Sequence, residues 1–315
     1  MSDEKLKKDS LDERLRKVHI PTLEELLNYG ADMPYGLLFA CSNEIMYASF
    51  ACGSAAGNFE NSYKIEKPAM KIAEVKDIVW ALLSGNNEIY YGNWNGFVCS
   101  LSGKKSSKRE CVIESLVFFG GRVLDAGDYG IYDSLNNKRL LTKKQMRDKN
   151  IMNIDSLFVF DEKLHAHVKY YHRKHGVVEV LEENGSFDFG RKIKHYNVYN
   201  LNLGFSQGFF LPDKRFISCA NGNFLDLEGR KIEGTKVDDV KNIWRVVLLH
   251  SDDGFADVTY SGAFNWIRLA RIDLKSLKAE TKTLIPRLSN SVSALEVIRS
   301  KEMHEKLMSI GKELK

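Results

Sequence analysis

The chain has 315 residues, of which 43% are hydrophobic, enough to bury a large core. Its 46 Lys and Arg nearly balance its 42 Asp and Glu, and a formal net charge of +4 argues against a nucleic-acid binder working through bulk charge. The charged start Met1-Ser-Asp-Glu-Lys-Leu-Lys-Lys lacks the apolar core of a secretory signal, no 18-residue apolar run is present, and the 5 cysteines are scattered without a Cys-x-x-Cys pair, so the reading is a reduced, cytoplasmic protein whose cysteines sit buried in strands.

Residues 9–29 read as a helix in two pieces. Leu11, Leu15 and Val18 share one face, Pro21 interrupts, Thr22 and Glu25 form a capping box, and Gly30 ends the segment. A helical extension over 1–30 is therefore expected. A strand-like stretch follows, Gly36-Leu-Leu-Phe-Ala-Cys41, running through Ser62-Tyr-Lys-Ile65 with Gly57 as a turn. Next comes a phrase written four times: Gly, any residue, an apolar residue, two more, then Leu. The copies are Gly96-Phe-Val-Cys-Ser-Leu101, Gly130-Ile-Tyr-Asp-Ser-Leu135, Gly176-Val-Val-Glu-Val-Leu181 and Gly222-Asn-Phe-Leu-Asp-Leu227. Each Gly is read as a tight hairpin turn with positive φ, where a Cβ costs roughly 1–2 kcal/mol. A near-continuous apolar strand opens each unit: Ile78–Leu83, Ser115–Phe119, Leu157–Phe160 and Leu203–Ser206. A sixth, degenerate copy runs from Ile243-Trp-Arg-Val-Val-Leu-Leu249 to Leu269-Ala-Arg-Ile-Asp-Leu274. The last element, over 289–315, reads as a helix, with Ser293 and Glu296 as a capping box and Val292, Leu295, Ile298, Met303 and Leu307 as its apolar stripe. Both terminal helices suit padding of the fold, and the C-terminal one also suits a partner or dimer contact.

The opening strands recur about every 42 residues, and a four-stranded blade takes about 40–50. The phrase Glu88-Ile-Tyr-Tyr-Gly-Asn-Trp-Asn-Gly-Phe-Val-Cys-Ser-Leu resembles the repeat of WD40 and quinoprotein-type β-propellers, although Trp-Asp at blade ends and Gly-His are missing. The resemblance implies an all-β fold: a single β-propeller over 31–288, six-bladed, with five or seven blades also compatible.

In such a fold the hairpin between the second and third strands opens on the face that usually binds ligand. Trp94, Asn95, Tyr129, Arg173, His175, Asn221 and Trp266 sit at or beside those hairpins, and aromatic tips with amide and charged neighbours suit a protein or peptide contact. Trp94 and Tyr129 suit packing between blades equally. The segment Lys163-Leu-His-Ala-His-Val-Lys-Tyr-Tyr-His-Arg-Lys-His175 places His165 and His167 on one strand face as weak metal candidates. Lys169, Arg173 and Lys174 would repel a cation there, and no carboxylate is near in sequence. The segment also reads as a solvated basic rim, or as a patch for phosphate or RNA with Tyr170 and Tyr171 for stacking. Asp252-Asp253-Gly254 reads as a turn. No Gly-x-Ser-x-Gly, phosphate loop or His-Glu-x-x-His occurs, and no cofactor or membrane partner is expected. The leading expectation is a non-catalytic recognition scaffold for a protein or peptide. An enzyme acting on a small molecule or sugar in the central channel is the alternative, and a nucleic-acid binder the third.

Overall fold

The structure, a computed structural model, describes residues 35–41, 45–52, 64–65, 70–75, 77–85, 88–171, 174–197, 208–211, 215–220, 223–226, 230–234, 243–251, 254–262, 266–285, 288 and 291–298. They form antiparallel sheets laid down in chain order. The first holds β1 (Tyr35–Cys41) and β2 (Ile45–Cys52), with β3 (Lys64–Ile65) and β4 (Met70–Glu74) both paired to β2. Then come β5 (Val79–Gly85), β6 (Glu88–Asn93) and β7 (Val98–Ser100); β8 (Ser115–Phe119), β9 (Arg122–Gly127), β10 (Gly130–Asp133) and β11 (Lys138–Thr142); and, after the short helix α1 (Lys143–Asp148), β12 (Ile151–Phe160), β13 (Lys163–Tyr170), β14 (Lys174–Glu183) and β15 (Ser186–Asn197). A three-stranded sheet of β16 (Gly208–Phe210), β17 (Phe216–Ala220) and β18 (Asn223–Leu225) precedes β19 (Ile243–Ser251), β20 (Phe255–Gly262), β21 (Ile267–Asp273) and β22 (Ala279–Ile285).

The final strand, β23 (Val292–Ile298), returns to the first sheet and pairs with β1, with Phe39 opposite Leu295 and Leu37 opposite Val297. This corrects the expectation of a helix over 289–315. Val292, Ala294, Leu295 and Val297 are all buried, and pairing with β1 overrides a helical stripe that lacks other support. Ser293 and Glu296 lie in this strand and cap nothing. It also corrects the assignment of β1 as the strand that opens the first unit, because β23 lies inside it. The expected helix over 1–30 and the remainder of the C-terminal one, 299–315, lie outside the described residues.

Turn chemistry explains why the meanders close tightly. Gly120-Gly121, Asp161-Glu162 and Asn184-Gly185 each carry two consecutive positive φ angles, the pattern of the type I′ hairpin that matches strand twist. Two of the repeat glycines behave as expected: Gly96 has φ +85°, and a Cβ on it would lie 2.6 Å from the Cys111 carbonyl oxygen; Gly130 has φ +113° and would put a Cβ 2.0 Å from that of Leu141. Gly176 does not, since it lies within β14 opposite Val168. Gly222 is outside the described residues. The repeat did not announce α1, although Thr142-x-x-Gln145 is a capping box in which each side chain accepts a backbone N–H of the other residue.

The core lies between consecutive sheets. Leu82, Ile89, Met46 and Ala294 join the first two; Leu83, Tyr90, Leu116 and Val123 the second and third; Leu124, Ile131, Leu157 and Val168 the third and fourth. Phe158 stacks on Phe216 between the fourth and fifth, 5.8 Å between centroids. Ile217, Phe224, Val258 and Tyr260 fill the next junction, and Ile267 and Ile285 meet Val292 and Leu295 of β23. Large aromatics and branched aliphatics at each junction make burial there the main stabilising term. The fold is a β-propeller.

Candidate functional site

β5, β8, β12, β16, β19 and β23, one strand from every sheet, line a common cavity of about 410 Å³. Aliphatic side chains line much of it, joined by Trp80 and Phe158, and polar groups are contributed by Glu114, Ser115, Ser156, Arg245 and Glu296. Glu114 immediately precedes β8, where its backbone N–H donates to the Ala126 carbonyl and fixes its place at one end of the cavity. The Trp80 indole N–H donates to Glu114 Oε2 at 2.9 Å. Arg245 projects from β19, donates through Nε to the Ser293 carbonyl at 2.9 Å and through Nη2 to that of Trp80, and its guanidinium lies 5.0 Å from the Trp80 ring centroid. Three sheets thus contribute one carboxyl, one guanidinium and one indole.

Burial dominates the electrostatics. It pushes the Glu114 carboxyl up to about 7, with the nearby Asp155 and Asp128 charges adding to the rise, while the indole hydrogen bond and Arg245 oppose it. Burial also lowers Arg245 to about 10, against the attraction of Glu114. Glu114 therefore exchanges a proton near neutral pH, the condition for general acid or base work.

A second cavity, of about 430 Å³, shares Glu114 and opens beside it among Cys111, Asp128, Lys143, Asn153, Lys169 and Tyr171. Lys143 Nζ lies 3.2 Å from Asp128 Oδ2. Cys111 is exposed here, contrary to the expectation of buried cysteines, while Cys219 is buried as expected. Next to this cavity, Asn153 Nδ2 donates to Asp155 Oδ1 at 2.8 Å. Asp155 belongs to β12, where the ladder to β13 slips between Ile154 and Ser156. The bulge aims its carboxylate at His167 of β13 and His175 of β14: Oδ2 is 3.7 Å from His167 Nδ1 and 3.3 Å from His175 Nδ1. The two imidazoles stack 5.4 Å apart at 19°, and Phe216 covers His167 at 5.8 Å. Among the described residues this is the group of His, Cys, Asp or Glu whose donor atoms come close enough to share a metal ion.

The structure separates the expected site residues. Trp94 and Asn95 are exposed in the β6–β7 turn, with Trp94 49% exposed and edge-on to Trp80 at 5.1 Å. Tyr129 is 1% exposed, with its hydroxyl donating to Asp125, so it belongs to the core and not to a contact face. Trp266 is half-buried and edge-on to Tyr260. Arg173 and Asn221 lie outside the described residues. His165, His167 and His175 are all buried, so they take no part in a solvated rim, and burial of Tyr170 removes it as a base-stacking platform; Lys163 is exposed and Lys169 half-buried. His165 stacks on Phe158, its Nδ1 lies 3.1 Å from the Lys163 carbonyl oxygen, and it takes no part in the Asp155 group. The carboxylate that attends His167 and His175 is Asp155, which arrives from the neighbouring strand β12 and not from the histidine segment itself. Sequence reading also missed Glu114, Arg245 and Trp80 as a set. The available signal was a charged residue inside or bordering a predominantly apolar strand: Asp155 in β12, Arg245 in β19 and Glu114 before β8.

No protein-family model matches the sequence, and no curated protein matches it. Solved structures do resemble the fold. The periplasmic gluconolactonase PpgL of Pseudomonas aeruginosa superposes with a TM-score of 0.52 at 12% identity, covering 84% of this chain and 99% of that one. The WD40 propeller domain of Doa1 gives 0.50 at 14% identity, covering 78% of this chain and 77% of its own. No helix among the described residues is long and apolar enough to cross a membrane. At these identities the likeness concerns architecture alone: the chain is a β-propeller similar in fold both to a gluconolactonase and to a WD40 domain.

Proposed function

We propose that the protein binds a small hydroxylated molecule at the Glu114 end of the central cavity, as an enzyme in which Glu114 gives or takes a proton. The observation that carries this reading is a half-buried carboxyl, pushed up to about 7 by desolvation, set against an indole and a guanidinium in a cavity of about 410 Å³. Small-molecule sites are concave and bring a few convergent polar groups to the ligand, and perturbed carboxyls in clefts mark functional sites more often than chance. The supporting frame is a six-bladed ring in which β23 closes the first blade. In the test, aldoses, aldonic acids and sugar lactones are titrated against the protein by tryptophan fluorescence and calorimetry, and lactone hydrolysis is followed across pH. The expected result is saturable binding weakened by Glu114→Gln, with a rate inflection near pH 7 absent from that variant. Equal behaviour of wild type and Glu114→Gln overturns the reading.

A second reading is favoured by Trp94 and Tyr171, each 49% exposed in turns that follow a second strand. It is a protein- or peptide-binding face, the role of a recognition scaffold. Capture of a partner that Trp94→Ala and Tyr171→Ala abolish, with Glu114→Gln neutral, would select it. Cys99, Cys111 and Cys219 are free, and a reducing cytoplasm is the compartment proposed with either reading.

A further inference from the structure

Asp155, His167 and His175 are arranged as a first coordination shell. Their donor atoms all lie within 4.8 Å of one another. Around a tetrahedral zinc with bonds of about 2.0–2.1 Å, neighbouring donors stand about 3.3–3.4 Å apart. The Asp155 Oδ2 separations of 3.3 and 3.7 Å fall close to that edge length. The side chains are essentially sealed from solvent, at 1% for Asp155, 0% for His167 and 2% for His175. A second observation is independent of the distances: Asp155 Oδ2, the oxygen aimed at both imidazoles, has no hydrogen-bond partner although it is buried. A buried carboxylate oxygen left so is costly, and a missing ion or water is the ordinary reason for one. The other oxygen is held by Asn153, which supplies the kind of outer hydrogen bond that orients a ligating carboxylate.

We infer that Asp155 Oδ2 and one ring nitrogen each of His167 and His175 bind a single divalent transition ion of the zinc class, with a position left for water or for a ligand. The donor set of two imidazoles and one carboxylate excludes calcium and magnesium as preferred occupants, since these take oxygen ligands. This site does not depend on the small-molecule reading of Glu114, and its test uses the metal alone. Lys169, half-buried, is paired opposite His175 in the β13–β14 ladder and so shares a sheet face with it.

The full chain, stripped with chelator and dialysed, is titrated with zinc chloride by calorimetry, and a second sample is loaded with cobalt(II) for absorption spectroscopy. One equivalent of zinc with a submicromolar Kd is expected, together with the intense visible bands of cobalt in a four- or five-coordinate site. Asp155→Asn and His175→Gln should each weaken zinc by more than about 100-fold, since even an outer-shell partner is worth about 10–100-fold. His250→Gln, remote from the group, should change nothing. Retention of wild-type affinity by both ligand variants would overturn the assignment, as would a stoichiometry near zero. If neither variant folds, the cobalt spectrum of the wild-type chain decides: octahedral, weakly absorbing cobalt refutes the site and strong bands support it.

Discussion

Replacing Glu114 by Gln should change how stability depends on pH. The carboxyl moves from its ordinary 4.5 to about 7 on folding. At about 1.4 kcal/mol per unit, this shift corresponds to about 3 kcal/mol. The sign follows from proton uptake. Between 4.5 and 7 the unfolded chain carries Glu114 ionised while the folded protein carries it neutral, so folding binds a proton. The contribution is complete below pH 4.5, declines as pH rises towards 7, and is gone above that. Gln is neutral throughout, and its amide oxygen still accepts the Trp80 indole hydrogen bond seen at 2.9 Å. Urea denaturation of both proteins at pH 4.5 and pH 8 measures the difference directly. The wild type should lose about 3 kcal/mol more than Glu114→Gln over that interval, equivalent to about 4–5 °C in thermal midpoint for a chain of this size. Parallel curves would refute the argument, because they would mean that Glu114 ionises as freely when folded as when unfolded.

Other predictions follow from backbone and buried charge. Gly130→Ala should cost about 3 kcal/mol or more, since it combines φ +113° with a Cβ 2.0 Å from the Leu141 carbonyl oxygen, whereas Gly121→Ala, at φ +75° with open space around it, should cost only about 1 kcal/mol. Chemical denaturation of the two variants checks the contrast, and equal losses would sink it. Glu162→Gly should stabilise by roughly 0.5–1 kcal/mol, because Glu162 sits at φ +59° in a type I′ turn that glycine adopts freely; a lowered thermal midpoint would count against this. Asp125→Ala should destabilise by about 3–5 kcal/mol, leaving the Arg109 guanidinium buried without its carboxylate, and a loss under 1 kcal/mol by urea titration would contradict that account.

The repeat carried the fold because its signals are local. Runs such as Ser115-Leu-Val-Phe-Phe119 and turns such as Gly120-Gly121 specify strand and hairpin within a few residues, and these match β8, β9 and their connection. What failed was non-local. Val292–Ile298 has apolar spacing that fits a helix, and only the unpaired edge of β1, more than 250 residues earlier, makes it a strand. The site was less legible for the same reason. Glu114 meets Trp80 of one sheet and Arg245 of another, and 165 positions separate Arg245 from Trp80. His167 and His175 were visible as a histidine-rich segment, but their carboxylate depends on a bulge in β12 that no local pattern marks. Tyr129 misled because its turn position suits exposure, while its hydroxyl finds Asp125 inside the core.

Among the described residues, carboxylates withdrawn from solvent are partnered in contrasting ways, and the difference bears on function. Asp125 receives Arg109 at both oxygens, Nε at 3.0 Å and Nη2 at 2.8 Å, together with the Tyr129 hydroxyl at 2.9 Å. Asp257 receives Arg271 in the same fork, at 2.7 and 2.8 Å. Such bidentate pairs satisfy the carboxylate, fix neighbouring strands and leave nothing for a ligand to do. Glu114 and Asp155 are different. Glu114 meets its cation only at a distance, through the Arg245 field, and burial leaves it able to lose or hold a proton near pH 7. Asp155 faces two imidazoles with one oxygen that accepts no hydrogen bond. Evolution of a purely structural junction would be expected to complete these shells as it completed those of Asp125 and Asp257, because an incompletely paired buried carboxylate costs stability. The two incomplete groups both adjoin the cavities at the Glu114 end, Glu114 directly and Asp155 through Asn153. That coincidence of unsatisfied charge with accessible space, absent at Arg109–Asp125, is the physical ground for seeking chemistry at this end of the propeller.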